Sequence, residues 1–116
     1  NKNNILEVWG DGSQGRAFVH AKDVVNAIIL AFNKGENKGV IQIGPNKCTT
    51  INDLSKIIID KMDSIIEIKH DLSKPIGDIG RCANYSKAKE LLGWEPSIFL
   101  EEGISDIVGW LKVKKS

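Results

Sequence analysis

The sequence predicts an α/β fold in which a small mixed sheet of short strands is combined with about four helices. Three observations support this prediction. Apolar residues alternate with polar ones over short runs typical of half-buried strands. They recur at helical spacing in longer runs that begin near capping residues. Glycine-rich turns separate the runs, and no repeat or linker divides the 116 residues, which predicts a single domain covering residues 1–116.

The first half of the chain is predicted to contain three strands and one helix. ILEVW at 5–9 is the first strand, GDGSQG at 10–15 is a turn, and RAFVH at 16–20 is a second short strand. A helix is predicted over 23–33 with Asp23 at its N-cap. This helix has few polar positions, so it needs cover on most of its sides. VIQIG at 40–44 is the third predicted strand.

The second half is predicted to contain one strand and three helices. Thr50 and Asp53 resemble a capping box in front of a helix over 51–62. Its apolar stripe is formed by Ile51, Leu54, Ile58 and Met62. IIEIK at 65–69 is a strand, and the loop that follows is long enough to be functional. A short helix ends at Gly93. The last helix covers 101–115, and its predicted inward-facing residues are Ile104, Ile107, Val108 and Leu111.

The composition is that of a folded domain, with 41% hydrophobic and 27% charged residues. A net charge of +1 argues against a broad nucleic-acid-binding surface. The sequence has no apolar run long enough for a membrane span and no signal-peptide pattern. Cys48 and Cys82 form no C-x-x-C pair, so we expect reduced thiols in a cytoplasmic protein. No cluster of His, Cys and Asp residues predicts a metal site.

GDGSQG has the G-x-G-x-x-G spacing of a dinucleotide-binding turn. Such a turn must open directly into a helix, whose N-terminus faces the pyrophosphate. Here the strand-like RAFVH follows instead, and Glu36, at the distance of the ribose-binding acid, lies in a loop sequence. The sequence therefore predicts that residues 10–15 do not bind NAD.

Two further patterns are ambiguous. Tyr85 and Lys89 have the Y-x-x-x-K spacing of an acid–base pair, but a tyrosine at the start of a lysine-rich helix has the same spacing. The helix over 51–62 resembles the first helix of a helix-turn-helix, but a strand-like segment follows where the second helix should begin. Neither pattern alone predicts a function.

Three stretches occur in an order that resembles a known family: VWGDGSQGRAFVHAKDVVNAIILAF, then GVIQIGPNKCTTINDLSKIII, then KPIGDIGRCANYSKAKELLGWEPSIFLEEGISDIVGWL. They are similar to the C-terminal, substrate-binding part of the extended short-chain dehydrogenases. These are NAD-dependent nucleotide-sugar epimerases and dehydratases, including GDP-mannose epimerases and GDP-fucose synthases. The resemblance extends from about Ile5 to Leu111. It implies the C-terminal lobe of a larger enzyme, without the Rossmann core and the catalytic Tyr and Lys.

The resemblance also implies a substrate site and its partners. Arg16 and Arg81 would converge on one diphosphate, because a guanidinium fork suits phosphate oxygens. The full set of implied substrate-binding residues is Trp9, Gln14, Arg16, Asp78 and Arg81. The ligand would be a nucleoside diphosphate sugar, with a GDP-sugar favoured by DLSKPIG. NAD or NADP would bind mainly outside this chain, on an N-terminal Rossmann domain, in a homodimeric enzyme without nucleic-acid or membrane partners.

Three positions depart from the family pattern. Gln42 stands where Asn is usual, Asn84 where Asp is usual, and Phe99 replaces a capping Ser or Thr. The alternative to part of an enzyme is a free-standing, non-enzymatic module that binds nucleotide sugars or another protein.

Overall fold

The computed structural model describes residues 4–63 and 65–115, with Lys115 described by its backbone alone. It confirms the α/β class, with short strands and four helices in the described chain. In chain order the elements are β1 (Ile5–Trp9), β2 (Gly15–Arg16), α1 (Ala21–Lys34), β3 (Thr49–Thr50), α2 (Ile51–Met62), β4 (Glu67–Asp71), β5 (Gly80–Arg81), α3 (Ser86–Leu92) and α4 (Leu100–Lys115).

The strands form two small sheets. β1 and β4 are parallel, in a register that runs from Ile5 opposite Glu67 to Trp9 opposite Asp71. β2 is the central strand of the second sheet, antiparallel to β3 and parallel to β5. The predicted strand at 65–69 is displaced by two residues, because the register with β1 places the ladder at 67–71. Of the predicted strand at 16–20, the ladder includes only Arg16.

Helix α1 begins two residues before the predicted start. The ring Nδ1 of His20 accepts a hydrogen bond of 3.0 Å from the backbone N–H of Lys22, so His20 is the N-cap. The prediction that Asp23 is the cap was wrong. Asp23 is only 1% exposed, and its carboxylate accepts hydrogen bonds from the segment that precedes α4.

Residues 40–43 do not form the predicted strand in the described chain. Val40 and Gln42 are exposed while Ile41 and Ile43 are half-buried, which is the alternation of a strand. A strand also needs a hydrogen-bonded neighbour, and no ladder among the described residues includes this segment.

Helix α2 matches its predicted bounds. Thr50 Oγ1 accepts a hydrogen bond of 3.1 Å from the backbone N–H of Asp53, as expected of an N-cap. The helix packs against α4 and β1. Within α4, Val108 is buried as predicted, but Ile107 and Leu111 are 55% and 40% exposed, so their predicted inward positions were wrong.

The main core cluster lies between α1 and α3. It is formed by Ala27, Ala88, Leu92 and Trp94, and Tyr85 packs edge-on against Trp94 with ring centroids 6.1 Å apart. Helix α3 ends at Gly93 in the left-handed conformation, as predicted. The opposite face of α1 is open: Val25, Ile28, Ile29 and Phe32 are 52%, 62%, 53% and 90% exposed. The described chain therefore covers only one face of a helix that was expected to need cover on most of its sides.

The overall shape is flat. The extents are 53 × 36 × 16 Å, and the radius of gyration is 17.0 Å. A compact domain of this length would have a radius of gyration of about 13 Å. The chain is therefore spread out around thin layers rather than folded about one central core.

Cys48 and Cys82 form a disulfide, with Cα atoms 5.2 Å apart. The prediction of reduced thiols was wrong. The cysteines are 34 residues apart in sequence, but Cys48 directly precedes β3 and Cys82 directly follows β5, and these two strands lie on either side of β2. Among the described helices, none has the length and apolar character needed to cross a membrane.

Candidate functional site

The two parallel strands end in matching turns at the same edge of their sheet. After β1, Asp11 Oδ1 accepts hydrogen bonds from the backbone N–H (2.9 Å) and the hydroxyl (2.6 Å) of Ser13. At the last residue of β4, Asp71 Oδ1 accepts the equivalent bonds from Ser73, at 3.0 and 2.6 Å. The serine hydroxyls, followed by the backbone N–H groups, lower the pKa of both carboxyls. In α/β proteins ligands bind at this carboxyl edge of parallel strands.

The glycines of GDGSQG make room for protein side chains. Gly10 and Gly12 have φ angles of +76° and +78°. A Cβ at Gly10 would overlap Ile76, and a Cβ at Gly12 would overlap the side-chain amide of Asn52. No helix opens after the turn, since α1 begins only at Ala21. Contacts with Ile76 and Asn52 therefore account for glycine at positions 10 and 12, and the helix that a dinucleotide-binding turn opens into does not directly follow Gly15.

Trp9 and Gln14 lie at the two ends of this turn. Trp9 is 50% exposed, and Lys74 Nζ lies 5.7 Å from the centroid of its ring, within range of a cation–π contact. Gln14 is 6% exposed and donates from Nε2 to the carbonyl of Trp9 at 3.0 Å. Its Oε1 is buried and has no hydrogen-bond partner in the described chain. This placement makes Gln14 a support for the turn.

The guanidinium of Arg16 is bound to backbone. Nη1 donates to the carbonyls of Gly15 (2.7 Å) and Asp78 (2.6 Å), and Nη2 donates to the carbonyl of Ile76 (3.3 Å). These bonds connect β2 to the loop that precedes β5. Arg16 thus fixes the path of residues 76–78.

Arg81 lies beside Arg16 but is held much less. The two residues are opposite each other in the parallel register of β2 and β5, so their side chains leave the sheet on the same face. The side chain of Arg81 is 78% exposed, and its Nε is 3.7 Å from Asp78 Oδ2. Asp78 therefore joins the two predicted arginines, through its carbonyl to Arg16 and through its carboxylate to Arg81.

Both residues of the Y-x-x-x-K pattern contact other side chains of the fold. Tyr85 packs on Trp94, and Lys89 Nζ is 3.5 Å from Glu95. No group of three or more His, Cys, Asp or Glu residues in the described ranges is arranged to hold a metal ion. A separate cavity of about 600 Å³ lies between the N-terminal ends of α2 and α4, with Asp53, Lys56 and Glu101 in its wall.

Sequence reasoning missed three polar residues at this edge. Lys74 faces Trp9, and Asn52 donates to the carbonyl of Asp11 at 2.9 Å and contacts His70 Nε2 at 2.7 Å. The proline after Lys74 marks a constrained loop and was a usable signal for that residue. Nothing in sequence spacing relates Asn52 to residues 11 and 70, because helix α2 brings it to the strand ends.

Comparison with known proteins identifies similar chains. Residues 1–107 match the family model described as GDP-mannose 4,6 dehydratase. The chain is 38% identical to a putative UDP-glucose 4-epimerase from Methanocaldococcus jannaschii, over 96% of this chain and 35% of the relative. It is 31% identical to GDP-mannose 3,5-epimerase 1 from Oryza sativa subsp. indica, over 92% of this chain and 28% of the relative.

Solved structures agree with these matches. The UDP-glucose 4-epimerase of Thermotoga maritima with UDP-glucose is 36% identical, with a TM-score of 0.83 over 96% of this chain and 36% of that one. RMD from Pseudomonas aeruginosa, complexed with NADPH, shares the fold, with a TM-score of 0.87 at 21% identity over 96% of this chain and 37% of that one. The chain spans about a third of the length of the curated relatives it matches. It therefore belongs to the GDP-mannose 4,6 dehydratase family of extended short-chain dehydrogenases, as one part of that larger architecture.

Proposed function

We propose that residues 1–116 form one substrate-binding domain of an NAD- or NADP-dependent nucleotide-sugar epimerase, dehydratase or reductase. The domain holds the nucleoside diphosphate while groups outside this chain carry out hydride transfer. The observation that carries the proposal is the arrangement around Arg81. Its guanidinium is exposed, lies beside Asp78, and is next to an arginine that fixes the same loop.

Arg81 is the diphosphate-binding residue in this proposal. An exposed guanidinium retains donors for phosphate oxygens and keeps its charge at neutral pH. Its contact with Asp78 at 3.7 Å is too long for a strong hydrogen bond, so an anion of higher charge can displace the carboxylate. Arg16 is a positioning residue, because its donors already bind three backbone carbonyls.

The nucleotide base stacks on Trp9. The ring is half exposed at the carboxyl edge of β1, and the ammonium group of Lys74 lies over it. An aromatic ring gives a base a sequence-tolerant platform, which suits a family whose members use different nucleotides. Asp78 contacts a sugar hydroxyl once Arg81 moves to the diphosphate, and Gln14 supports Trp9 from below.

The ligand is a nucleoside diphosphate sugar. DLSKPIG at 71–77 favours a GDP-sugar, and the relatives named above include enzymes named for UDP-glucose and for GDP-mannose. NAD or NADP binds mainly outside this chain, in keeping with the start of α1 at Ala21 rather than directly after residues 10–15. The enzyme is a cytoplasmic homodimer, and neither a nucleic acid nor a membrane is among its partners.

The open face of α1 is covered by an N-terminal Rossmann domain of the whole enzyme. Val25, Ile28, Ile29 and Phe32 form an exposed apolar surface, and surfaces of this kind are typical of interaction sites. Residues 40–43, which belong to no ladder in the described chain, give such a domain backbone groups with which a strand can pair. The flat shape of the chain is in keeping with a part that is completed by another layer.

The test is calorimetric titration of the natural full-length polypeptide with GDP-mannose and with UDP-glucose. Arg81→Ala should weaken binding about 10- to 150-fold, and Arg81→Lys should recover little of it. Arg16→Ala should also weaken binding, and its loss should not add to that of Arg81→Ala in the double variant. Lys89→Ala is the matched control, since Lys89 is an exposed lysine on α3 whose ammonium group forms an ion pair with Glu95.

A second measurement separates the two arginines. Arg16→Ala should speed amide hydrogen exchange at residues 76–81 in the absence of ligand, whereas Arg81→Ala should not. If Arg81→Ala binds both nucleotide sugars like the unaltered protein, the diphosphate role is wrong. Binding without turnover in the presence of NAD and NADP would favour the non-enzymatic binding module.

A further inference from the structure

The disulfide spans the small sheet that carries Arg81. Cys82 directly follows Arg81 at the end of β5, and Cys48 directly precedes β3. These are the two outer strands on either side of β2. Outer strands of a three-stranded sheet are ordinarily about 9–10 Å apart. The 5.2 Å between the two Cα atoms therefore means that the chain converges just past the strand ends.

The sulfur of Cys48 packs closely against Gly15 in β2. A Cβ built on Gly15, in β2, would lie 2.8 Å from Cys48 Sγ, closer than real Cβ contacts allow. Gly15 is buried, and its N–H donates to the carbonyl of Ile79 at 2.8 Å. The bond is thus part of the packing of the strand from which Arg16 extends.

Few other contacts hold the loop that carries Arg81. All residues from 72 to 82 are exposed, and β5 is two residues long. The backbone bonds to β2 from this loop include Gly15 N–H to the carbonyl of Ile79 and Ala17 N–H to the carbonyl of Arg81, at 2.8 and 3.1 Å. Arg16 adds its guanidinium bonds to residues 76 and 78. An exposed loop with so few bonds opens locally at low cost once a covalent restraint is removed.

We propose that the Cys48–Cys82 disulfide is a thiol-exchange site that locks the Arg81 loop in its binding position. Reduction by a dithiol releases the loop and weakens nucleotide-sugar binding. The second half of this inference rests on the proposed function, while the first concerns the loop alone. In the cytoplasm, where the proposed function places the enzyme, a protein disulfide is usually transient and redox-sensing, which fits a bond whose Cys82 is exposed beside a binding residue.

The chemistry requires a dithiol as co-reactant. Cys82 is exposed and Cys48 is half-buried, so a thiolate of the dithiol attacks Cys82 Sγ. The Sγ–Sγ bond breaks, and Cys48 leaves as a thiolate that takes up a proton. The second thiol of the dithiol then attacks the mixed disulfide and releases Cys82. The protein gains two electrons and two protons, and the dithiol becomes a disulfide.

The experiment compares the natural full-length polypeptide before and after treatment with dithiothreitol. Alkylation followed by mass spectrometry counts the free thiols at positions 48 and 82. Hydrogen exchange at residues 76–83 reports the loop, and titration with GDP-mannose and UDP-glucose reports binding. We expect exchange to speed up about 10-fold or more and affinity to fall about 10-fold, the effect of losing one charged contact.

The double variant Cys48→Ser, Cys82→Ser should behave like the reduced protein and should not respond to dithiothreitol. Any response that it does show measures thiols elsewhere and is subtracted. The proposal is overturned if positions 48 and 82 are free thiols before treatment, or if reduction leaves exchange at 76–83 unchanged. It is equally overturned if the loop is released while affinity for a bound nucleotide sugar is unchanged. If the loop is released but neither redox form binds a nucleotide sugar, the loop lock is supported and the proposed function fails.

Discussion

β4 and residues 40–43 both lie where short apolar runs predicted strands, and of the two only β4 has a strand partner in the described chain. β4 makes a five-residue parallel ladder with β1, beneath α2. Ile41 and Ile43 pack against the core cluster between α1 and α3, and no ladder among the described residues includes residues 40–43. The helices differ in the same way. α2 packs on α4 and β1, whereas α1 covers the cluster around Ala27 with one face and exposes apolar residues on the other.

The difference shows that a local sequence pattern specifies the conformation of a segment. It does not specify which other surface pairs with the backbone of that segment or covers its apolar side chains. A strand becomes a ladder, and an apolar helix becomes a core helix, only when another surface satisfies its backbone or its side chains. The β1–α2–β4 unit contains its own partners. The segment from α1 to residue 43 packs on α3 and Trp94 and has a polar attachment at Asp23, but the other face of α1 is open.

The largest effect should come from removing that point of attachment. The Asp23 carboxylate accepts bonds from the hydroxyl and N–H of Ser97, at 2.8 and 3.0 Å, and from the N–H of Ile98 at 3.0 Å. Asp23→Ala should lower the free energy of unfolding by about 4 kcal/mol, because the N–H groups of Ser97 and Ile98 and the Ser97 hydroxyl lose a charged acceptor. Chemical denaturation measures it. A loss below about 1 kcal/mol would mean that the outer segment is held elsewhere.

The same carboxylate predicts a pH dependence. Burial, the largest single influence, raises the pKa of Asp23, but the bonds from Ile98 and Ser97 outweigh it and the pKa lies below its usual value. A lowered folded-state pKa stabilises the fold above the unfolded pKa, and this stability is lost as pH falls through the folded value. We therefore expect stability to decrease below about pH 4. In Asp23→Asn the free energy of unfolding should decrease less as the pH falls. If its pH dependence is the same as in the unaltered protein, the effect comes from Asp11 and Asp71, whose pKa values are also lowered.

A smaller effect is expected within the β1–α2–β4 unit. Gly12→Ala places a Cβ on the Asn52 amide and requires alanine to adopt a positive φ. The strain and the displaced Asn52 hydrogen bonds should together cost about 3 kcal/mol. Gly109→Ala, in open space on α4, is the matched control and should stabilise the helix by about 1 kcal/mol. Thermal unfolding of both variants checks the pair, and equal effects would refute the packing argument.

The smallest effect sharpens the contrast between the two helices. Leu54→Ala in α2 should cost about 2 kcal/mol, because Leu54 is half-buried in a packed helix. Phe32→Ala in α1 should change stability by less than about 0.5 kcal/mol, since Phe32 is 90% exposed. In residues 1–116 alone, Phe32→Ala should instead reduce hydrophobic-dye binding and self-association. Equal destabilisation by both substitutions would show that the α1 face is covered within the chain.

The sequence was sufficient where the relevant contacts are local. The bounds of α2, its cap at Thr50 and the end of α3 at Gly93 follow from residues within a few positions. It was insufficient for Asp23 and for Cys48 with Cys82, since their partners are distant in sequence. For the candidate site, sequence and resemblance together placed Arg16, Asp78 and Arg81 in one region. Arg16 is bound to backbone carbonyls whereas Arg81 is largely exposed, and this difference depends on carbonyl positions that no residue pattern encodes.

The contact between Gly15 and the sulfur of Cys48 has an evolutionary consequence. While Cys48 occupies the space of a Cβ at position 15, selection must keep glycine there, although its backbone does not require a positive φ. A lineage that lost Cys48 would be free to acquire alanine at 15, which reduces the conformational entropy of the unfolded chain. Positions 15, 48 and 82 should therefore change together during divergence. Glycine at 15 is a third character, besides the two cysteines, by which the history of this bond can be traced among relatives.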